Sequence, residues 1–262
     1  VTTIEAILLG IIQGLTEFLP ISSSGHLKLF QHLIGLSNLD QYLMFDLICH
    51  VGTLGAIFLF FREQILIILR YDWKKIGWVV IGTLPLFPLL FILGPLKKMF
   101  DRVEYLGFFF IATAFILYLG IVIGRKHGAI FTEPKYPKRD AFLIGIFQAF
   151  ATLPGISRSG STISCARMLG WTYPQAVLFS FLLAIPAILG GSALIMLESF
   201  ISSTPLLHPQ LSFLQYLSGF VTSFCVGYFA LWLLTRLAAK DQFMVFVWYC
   251  LFVGVSTLLI TR

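Results

Sequence analysis

Charge is what this sequence has least of. Asp, Glu, Lys and Arg make up 11% of its 262 residues, where a soluble domain carries about a quarter. A water-exposed globular surface is therefore excluded. A disordered chain is excluded as well, because 58% of the residues are hydrophobic and disorder requires low hydrophobicity with high charge. Cysteine is scarce too. Cys49, Cys165, Cys225 and Cys250 lie within apolar stretches, with no CxxC and no His at ligand spacing. This excludes a disulfide scaffold and leaves packing thiols. The opening apolar run lacks a basic n-region and carries Glu5, Gln13 and Glu17, so it is expected to belong to the fold and not to a cleavable signal peptide. The net charge of +6 has no basic amphipathic face to carry it. Lys and Arg sit instead in short clusters between apolar runs, which argues against nucleic acid as a partner and for a positive-inside membrane topology.

What is present is apolar sequence in long runs, enough for about six to eight spans of roughly 20 residues. Runs at about 42–61, 76–94, 104–124, 175–197, 211–235 and 243–260 predict six transmembrane helices. Two further apolar stretches, 1–21 and 141–156, run into Pro, Ser and Gly in place of a charged loop. They read as re-entrant helix-loop-helix segments, and backbone that turns at membrane depth predicts a polar cavity.

These two stretches also match each other. A shift of 135 positions pairs Gly10 with Gly145, Ile11 with Ile146, Gln13 with Gln148, Ile21 with Ile156, Ser22 with Ser157, Ser24 with Ser159 and Gly25 with Gly160. Most of these are Gly, Ser or Gln, so shared hydrophobicity does not explain them. The expected architecture is an all-α, polytopic integral membrane protein with an inverted-topology repeat in one transmembrane domain. Residues 1–124 form the first repeat, 125–140 a cytoplasmic linker and 141–262 the second repeat. An odd number of spans per half forces the inversion, and inverted repeats with broken helices place their site near the midplane.

Loop charge sets the orientation. The segments 62–75, 125–140 and 236–242 hold Arg62, Arg70, Lys74, Lys75, Arg125, Lys126, Lys135, Lys138, Arg139, Arg236 and Lys240, against Lys28, Lys97, Lys98, Arg102 and Arg262 on the other side. The richer side is expected to be cytoplasmic. The segment 198–212, with Glu198 and His208, then falls outside.

Two polar constellations stand out. In the first, Gln13 and Glu17 are one helical turn apart and share a face, so they can offer two oxygen ligands to a hard cation. Pro20 ends that helix, and Ser22, Ser23, Ser24 and Gly25 suit a turn whose N–H groups converge on an anion. His26 stands close enough to exchange a proton with a hydroxyl or leaving oxygen. The plainer readings are a helix-end carboxylate for Glu17, a capping histidine for His26 and an N-cap with turn for the serines. In the second, Pro154, Gly155, Ser157, Arg158, Ser159, Gly160, Ser161 and Thr162 lie in apolar surroundings. Arg158 presents a planar fork suited to phosphate oxygens, with hydroxyls around it. The structural alternative is that Arg158 neutralises Glu17 across the repeat interface. Asp46 and His50, also a turn apart, could face the same cavity or bridge to another helix. Arg167 is expected to anchor at the inner interface, and the 27 Phe residues to serve lipid contact and packing.

The runs QGLTEFLPISSSGH and PGISRSGST resemble those of bacterial undecaprenyl pyrophosphate phosphatases of the bacitracin-resistance type, and the likeness in span order and length covers essentially the whole chain. The resemblance implies a hydrolase of the bacterial cytoplasmic membrane, its site open to the outer face. It would convert undecaprenyl diphosphate to the monophosphate carrier for peptidoglycan synthesis and so confer bacitracin resistance. It also implies a divalent cation, Mg²⁺ or Ca²⁺, held by Gln13 and Glu17. Catalytic roles fall on Glu17, Ser23, His26 and Arg158, with Ser22, Ser24, Ser157, Ser159 and Thr162 around the phosphates. The lipid substrate and the bilayer are the partners implied, and a homodimer is left open. Ser23, a water or His26 could be the nucleophile. A lipid-phosphate transporter is the other class the geometry allows, since alternating access uses the same inverted repeats. The Glu17, Ser23 and His26 group discriminates, because carriage of a phosphate needs no nucleophile.

Overall fold

A computed structural model describes residues 2–35, 43–100, 102–126, 137–202 and 211–261. Among them the chain forms twelve α-helices and no strand: α1 (Thr3–Phe18), α2 (Ser23–Leu33), α3 (Leu43–Phe60), α4 (Arg62–Tyr71), α5 (Trp73–Thr83), α6 (Leu86–Met99), α7 (Val103–Lys126), α8 (Pro137–Phe150), α9 (Arg158–Met168), α10 (Tyr173–Ser202), α11 (Phe213–Ala239) and α12 (Met244–Ile260). Residues 127–136 of the expected linker, with Lys135, lie outside the described residues, as do His208, Arg262 and the side chains of Lys97, Lys98 and Glu198.

Four helices are long and apolar enough to cross a bilayer: α3, α7, α10 over Tyr173–Leu197, and α11. The chain is thus a multi-pass membrane protein, with α12 a shorter apolar helix beside them. The run expected as one span over 76–94 is divided. α5 stops at Thr83 and α6 starts at Leu86. Pro85 between them has no N–H to continue the ladder, which accounts for the break although Leu84 before it keeps helical angles (φ −53°, ψ −43°). The segment 62–75, expected as loop, is largely the helix α4, with Leu66, Ile67 and Leu69 about half exposed.

The helix pairs α1–α2 and α8–α9 follow one local logic. A capping box opens α1: the Thr2 hydroxyl accepts from the Glu5 N–H, and the Glu5 carboxylate accepts from the Thr2 N–H at 2.7 Å. Glu5 is therefore occupied at a helix end. Pro20 then forces Leu19 into an extended conformation (φ −63°, ψ 142°), and α1 stops. The chain turns through Ser22, whose hydroxyl accepts from the Gly25 N–H at 3.3 Å to start α2. In the second pair α8 ends at Phe150, the chain turns through Gly155 at φ +89°, and the Ser157 hydroxyl accepts from the Gly160 N–H at 3.1 Å to start α9. Gly155 suits a left-handed turn that a side chain would strain.

Glycines set how closely these helices cross. A Cβ on Gly10 of α1 would lie 2.8 Å from the Gly219 carbonyl of α11, and one on Gly145 of α8 would lie 2.2 Å from the Gly82 carbonyl of α5. α7 and α12 meet each other the same way. A Cβ on Gly107 would sit 2.7 Å from the Gly254 carbonyl, and one on Gly254 would sit 2.9 Å from the Gly107 carbonyl. Small residues permit such backbone approach where the hydrophobic effect between helices is weak. Apolar side chains fill the centre: Phe18 packs edge-on to Phe181 with ring centroids 5.3 Å apart, and Phe61 stacks on Phe181. Others, such as Phe108, Phe115 and Phe252, stand outward. All four cysteines are free, and three of them are buried.

Candidate active site

The last turn of α1 and the first turn of α9 meet. Arg158 donates a short hydrogen bond through Nη2 to Oε1 of Glu17, joining residues far apart in the chain. The Glu17 side chain is only 4% exposed. Burial of a carboxylate is expensive unless it is paired and hydrogen-bonded. Glu17 meets both conditions. Its Oε2 accepts from Ser23 Oγ at 2.7 Å and from Gln13 Nε2 at 3.0 Å, and His50 Nδ1 lies 3.6 Å away. The same Gln13 amide nitrogen approaches His50 Nδ1 at 2.7 Å, so its two protons serve the carboxylate and the ring.

Two polar atoms at this junction are buried without a partner: Arg158 Nη1 and Gln13 Oε1. One is a charged donor and one an acceptor. Orphaned groups of this kind are costly, and they mark a place where a ligand or water completes the bonding.

The hydroxyls divide into two sets. Ser22, Ser157, Ser159 and Thr162 are at most 2% exposed and serve the framework. Ser22 and Ser157 cap their helices. Ser159 Oγ, 3.2 Å from Ser157 Oγ, donates to the Leu19 carbonyl at 3.2 Å and so ties the second turn to the first. Thr162 lies 2.7 Å from Ser180 of α10 and donates to the Arg158 carbonyl at 2.9 Å. Ser23 and Arg158 are partly exposed and Ser24 is exposed, and Ser24 Oγ lies 3.5 Å from Ser22 Oγ.

His26 engages both ring nitrogens outside the Ser23–Glu17 pair. Its Nδ1 lies 2.7 Å from the Ser22 carbonyl, and its Nε2 lies 2.9 Å from the Tyr249 hydroxyl of α12. Both ring nitrogens are thus engaged away from Ser23, whose proton points to Glu17. Asp46 stands one turn before His50 but lies toward Lys28, outside the group that touches Glu17. Arg167, expected as an interface anchor, is buried at 6% exposure. It donates to the Trp171 carbonyl at 2.6 Å and sits 4.2 Å above the Tyr173 ring. A buried guanidinium stacked on an aromatic face is stable where a snorkelling one is not required.

Several participants carried no sequence signal. Thr113 of α7 donates to the Gly155 carbonyl and accepts from the Ser157 N–H, so it sets the second turn. Ser180 and Tyr249 lie in apolar runs that read as bulk span. For a metal ion, Gln13 Oε1 and the Glu17 carboxylate are the available oxygen donors. Among the described residues no group of three or more His, Cys, Asp or Glu side chains converges on one point.

The family model described as Bacitracin resistance protein BacA matches residues 6–256. The chain belongs to the BacA family. It is 48% identical over 255 residues to an undecaprenyl-diphosphatase of Protochlamydia amoebophila, covering 97% of both chains. It is 38% identical to an undecaprenyl-diphosphatase of Carboxydothermus hydrogenoformans, covering 98% of this chain and 96% of the relative. It is 39% identical to one of Rhodopirellula baltica, covering 98% and 97%. Both polar turns of this BacA-family chain fall within the matched residues.

Proposed function

We propose that this protein hydrolyses undecaprenyl diphosphate to undecaprenyl phosphate and inorganic phosphate, recycling the lipid carrier of bacterial cell-wall synthesis. The carrying observation is the junction of Ser23, Glu17 and Arg158: a hydroxyl, a carboxylate within hydrogen-bond reach of it, and a guanidinium with one nitrogen unpartnered. The names of the BacA-family relatives support the substrate.

The chemistry follows from who touches whom. Ser23 Oγ attacks the terminal phosphorus, and its proton passes to Glu17, 2.7 Å away. The bond from that phosphorus to the bridging oxygen breaks, and undecaprenyl phosphate leaves. Glu17 gives that proton up to bulk water. A water then attacks the phosphorus held on Ser23, Glu17 takes one of its protons and passes it to Ser23 Oγ as the bond from that oxygen to phosphorus breaks, and phosphate leaves. Arg158 stabilises the charge on the phosphoryl oxygens, its free Nη1 being available to them. The N-termini of α2 and α9 flank the same point and add partial positive charge.

A divalent cation fits this donor set, because Mg²⁺ is commonly held by one or two protein oxygens together with substrate phosphates. Gln13 Oε1, buried and unpartnered, and the Glu17 carboxylate would hold it. When bound it would neutralise diphosphate charge.

In the bilayer we read the chain as two inverted halves in the bacterial cytoplasmic membrane, with six spans and two re-entrant segments. The paired crossings support this: α1 with α11 is matched by α8 with α5, and α7 meets α12 reciprocally. The cytoplasmic side would carry Arg62, Arg70, Arg125 and Arg236, and the site would open outward.

The deciding assay is phosphate release from undecaprenyl diphosphate by purified protein in detergent, where no membrane sides exist. Release by the natural sequence, with a loss of roughly a hundredfold or more in Ser23→Ala, is expected. No release by the natural sequence would overturn the proposal.

A further inference from the structure

Ser22 holds φ +74°, a left-handed conformation that a residue with a Cβ adopts reluctantly. Such a residue persists only where its surroundings over-determine it. Three contacts do so here. The Ser22 hydroxyl caps the Gly25 N–H, the Ser22 carbonyl lies 2.7 Å from His26 Nδ1, and the His26 ring is clasped from two sides. Phe110 of α7 meets that ring edge-on, with centroids 4.9 Å apart. Tyr249 of α12 lies nearly parallel to it, at 5.6 Å and 15°, and its hydroxyl reaches Nε2 at 2.9 Å.

The hydrogen-bond directions follow from the acceptors. A carbonyl oxygen can only accept, so Nδ1 carries the proton toward Ser22. Nε2 then has a lone pair, and the Tyr249 O–H donates to it. The chain Tyr249 to His26 to Ser22 is a strut from the last helix of the protein to its first polar turn. One residue beyond Ser22 the turn delivers Ser23 Oγ to Glu17.

We propose that Tyr249 is a positioning residue that acts through His26 to hold the left-handed Ser22 turn and with it the placement of the Ser23 hydroxyl. This rests on the reading of Ser23 as the attacking group. Tyr249→Phe removes the donor and keeps the aromatic face. In detergent-solubilised protein with undecaprenyl diphosphate as substrate, it should lower kcat roughly tenfold or more and leave KM within about twofold. Glycine takes positive φ without strain. The loss caused by Tyr249→Phe should therefore shrink when measured against Ser22→Gly than against the natural sequence, a coupling that a double-mutant cycle reads directly.

A second readout needs no substrate. The ¹⁵N resonances of His26, assigned by their absence in His26→Gln, should show the Nδ1–H tautomer in the natural sequence, and the Nε2 resonance should move in Tyr249→Phe, where its lone pair loses the donor. An unchanged kcat, an equal loss in both backgrounds, or an unchanged Nε2 resonance would each overturn the strut. If the natural sequence released no phosphate, the phosphatase reading would fail, while the Nε2 comparison would still judge the strut.

Discussion

At the scale of residues, the buried Glu17–Arg158 pair is where stability and the proposed chemistry meet. Arg158→Ala would leave a carboxylate that is 4% exposed without its countercharge, a change expected to cost about 3 to 5 kcal/mol. Thermal unfolding of the solubilised protein should show a marked fall in midpoint. Replacement of both partners by apolar residues of similar volume should recover much of that loss while activity stays absent. Thr162 offers a contrast. Because its hydroxyl bonds within α9 and to Ser180, Thr162→Val and Ser180→Ala should each destabilise by about 1 to 3 kcal/mol, and the two losses should not add. A phosphate contact at Thr162 would instead raise KM with no equivalent effect at Ser180.

Much of this site is legible in the chain at that scale. Helical spacing places Gln13 and Glu17 on one face, and an arginine in apolar surroundings demands a carboxylate. What stays hidden is which hydroxyls stay exposed and which are consumed by the turns. Ser22, Ser157 and Thr162 look alike as letters, and only the N-cap geometry and the packing of α10 separate them from Ser23. His26 is similar. Its type and position suggest proton exchange, and its contact with Tyr249, distant in sequence, carries no signal in the chain.

At the scale of elements, close helix crossings carry the architecture. Gly145→Ala would drive a Cβ to 2.2 Å from the Gly82 carbonyl, a backbone atom with no freedom to give, at a cost expected to reach about 1 to 3 kcal/mol or more. Gly190→Ala, in α10 with nothing within 4 Å of the added Cβ, should be neutral or stabilising by up to about 1 kcal/mol. Thermal midpoints of the two variants side by side check the assignment. The Gly10 and Gly145 pairing is visible in the sequence because each backbone crossing requires the same small residue. The break between α5 and α6 and the helix α4 are harder to see there. Hydropathy averages over Pro85, and it scores a half-exposed helix of mixed residues as a loop.

At the scale of the whole molecule, membrane character follows from composition alone, whereas orientation follows from loop charge and is open to direct test. Asp72→Cys, between α4 and α5, should react with a membrane-impermeant maleimide from the cytoplasmic face of oriented vesicles, and Ser212→Cys, ahead of α11, from the outer face. The reverse pattern would invert the topology and place the site on the wrong side for an outward-opening pocket.

The central claim is that two turns from opposite halves of the chain build one reactive centre through Glu17 and Arg158. Its most direct measurement is a double-mutant cycle in kcat/KM for phosphate release, with Glu17→Gln, Arg158→Lys and the double variant. A single centre predicts that each change alone costs about a hundredfold or more and that the double variant is little worse than either. Losses that multiply independently would mean that the two residues work apart, and would contradict the account.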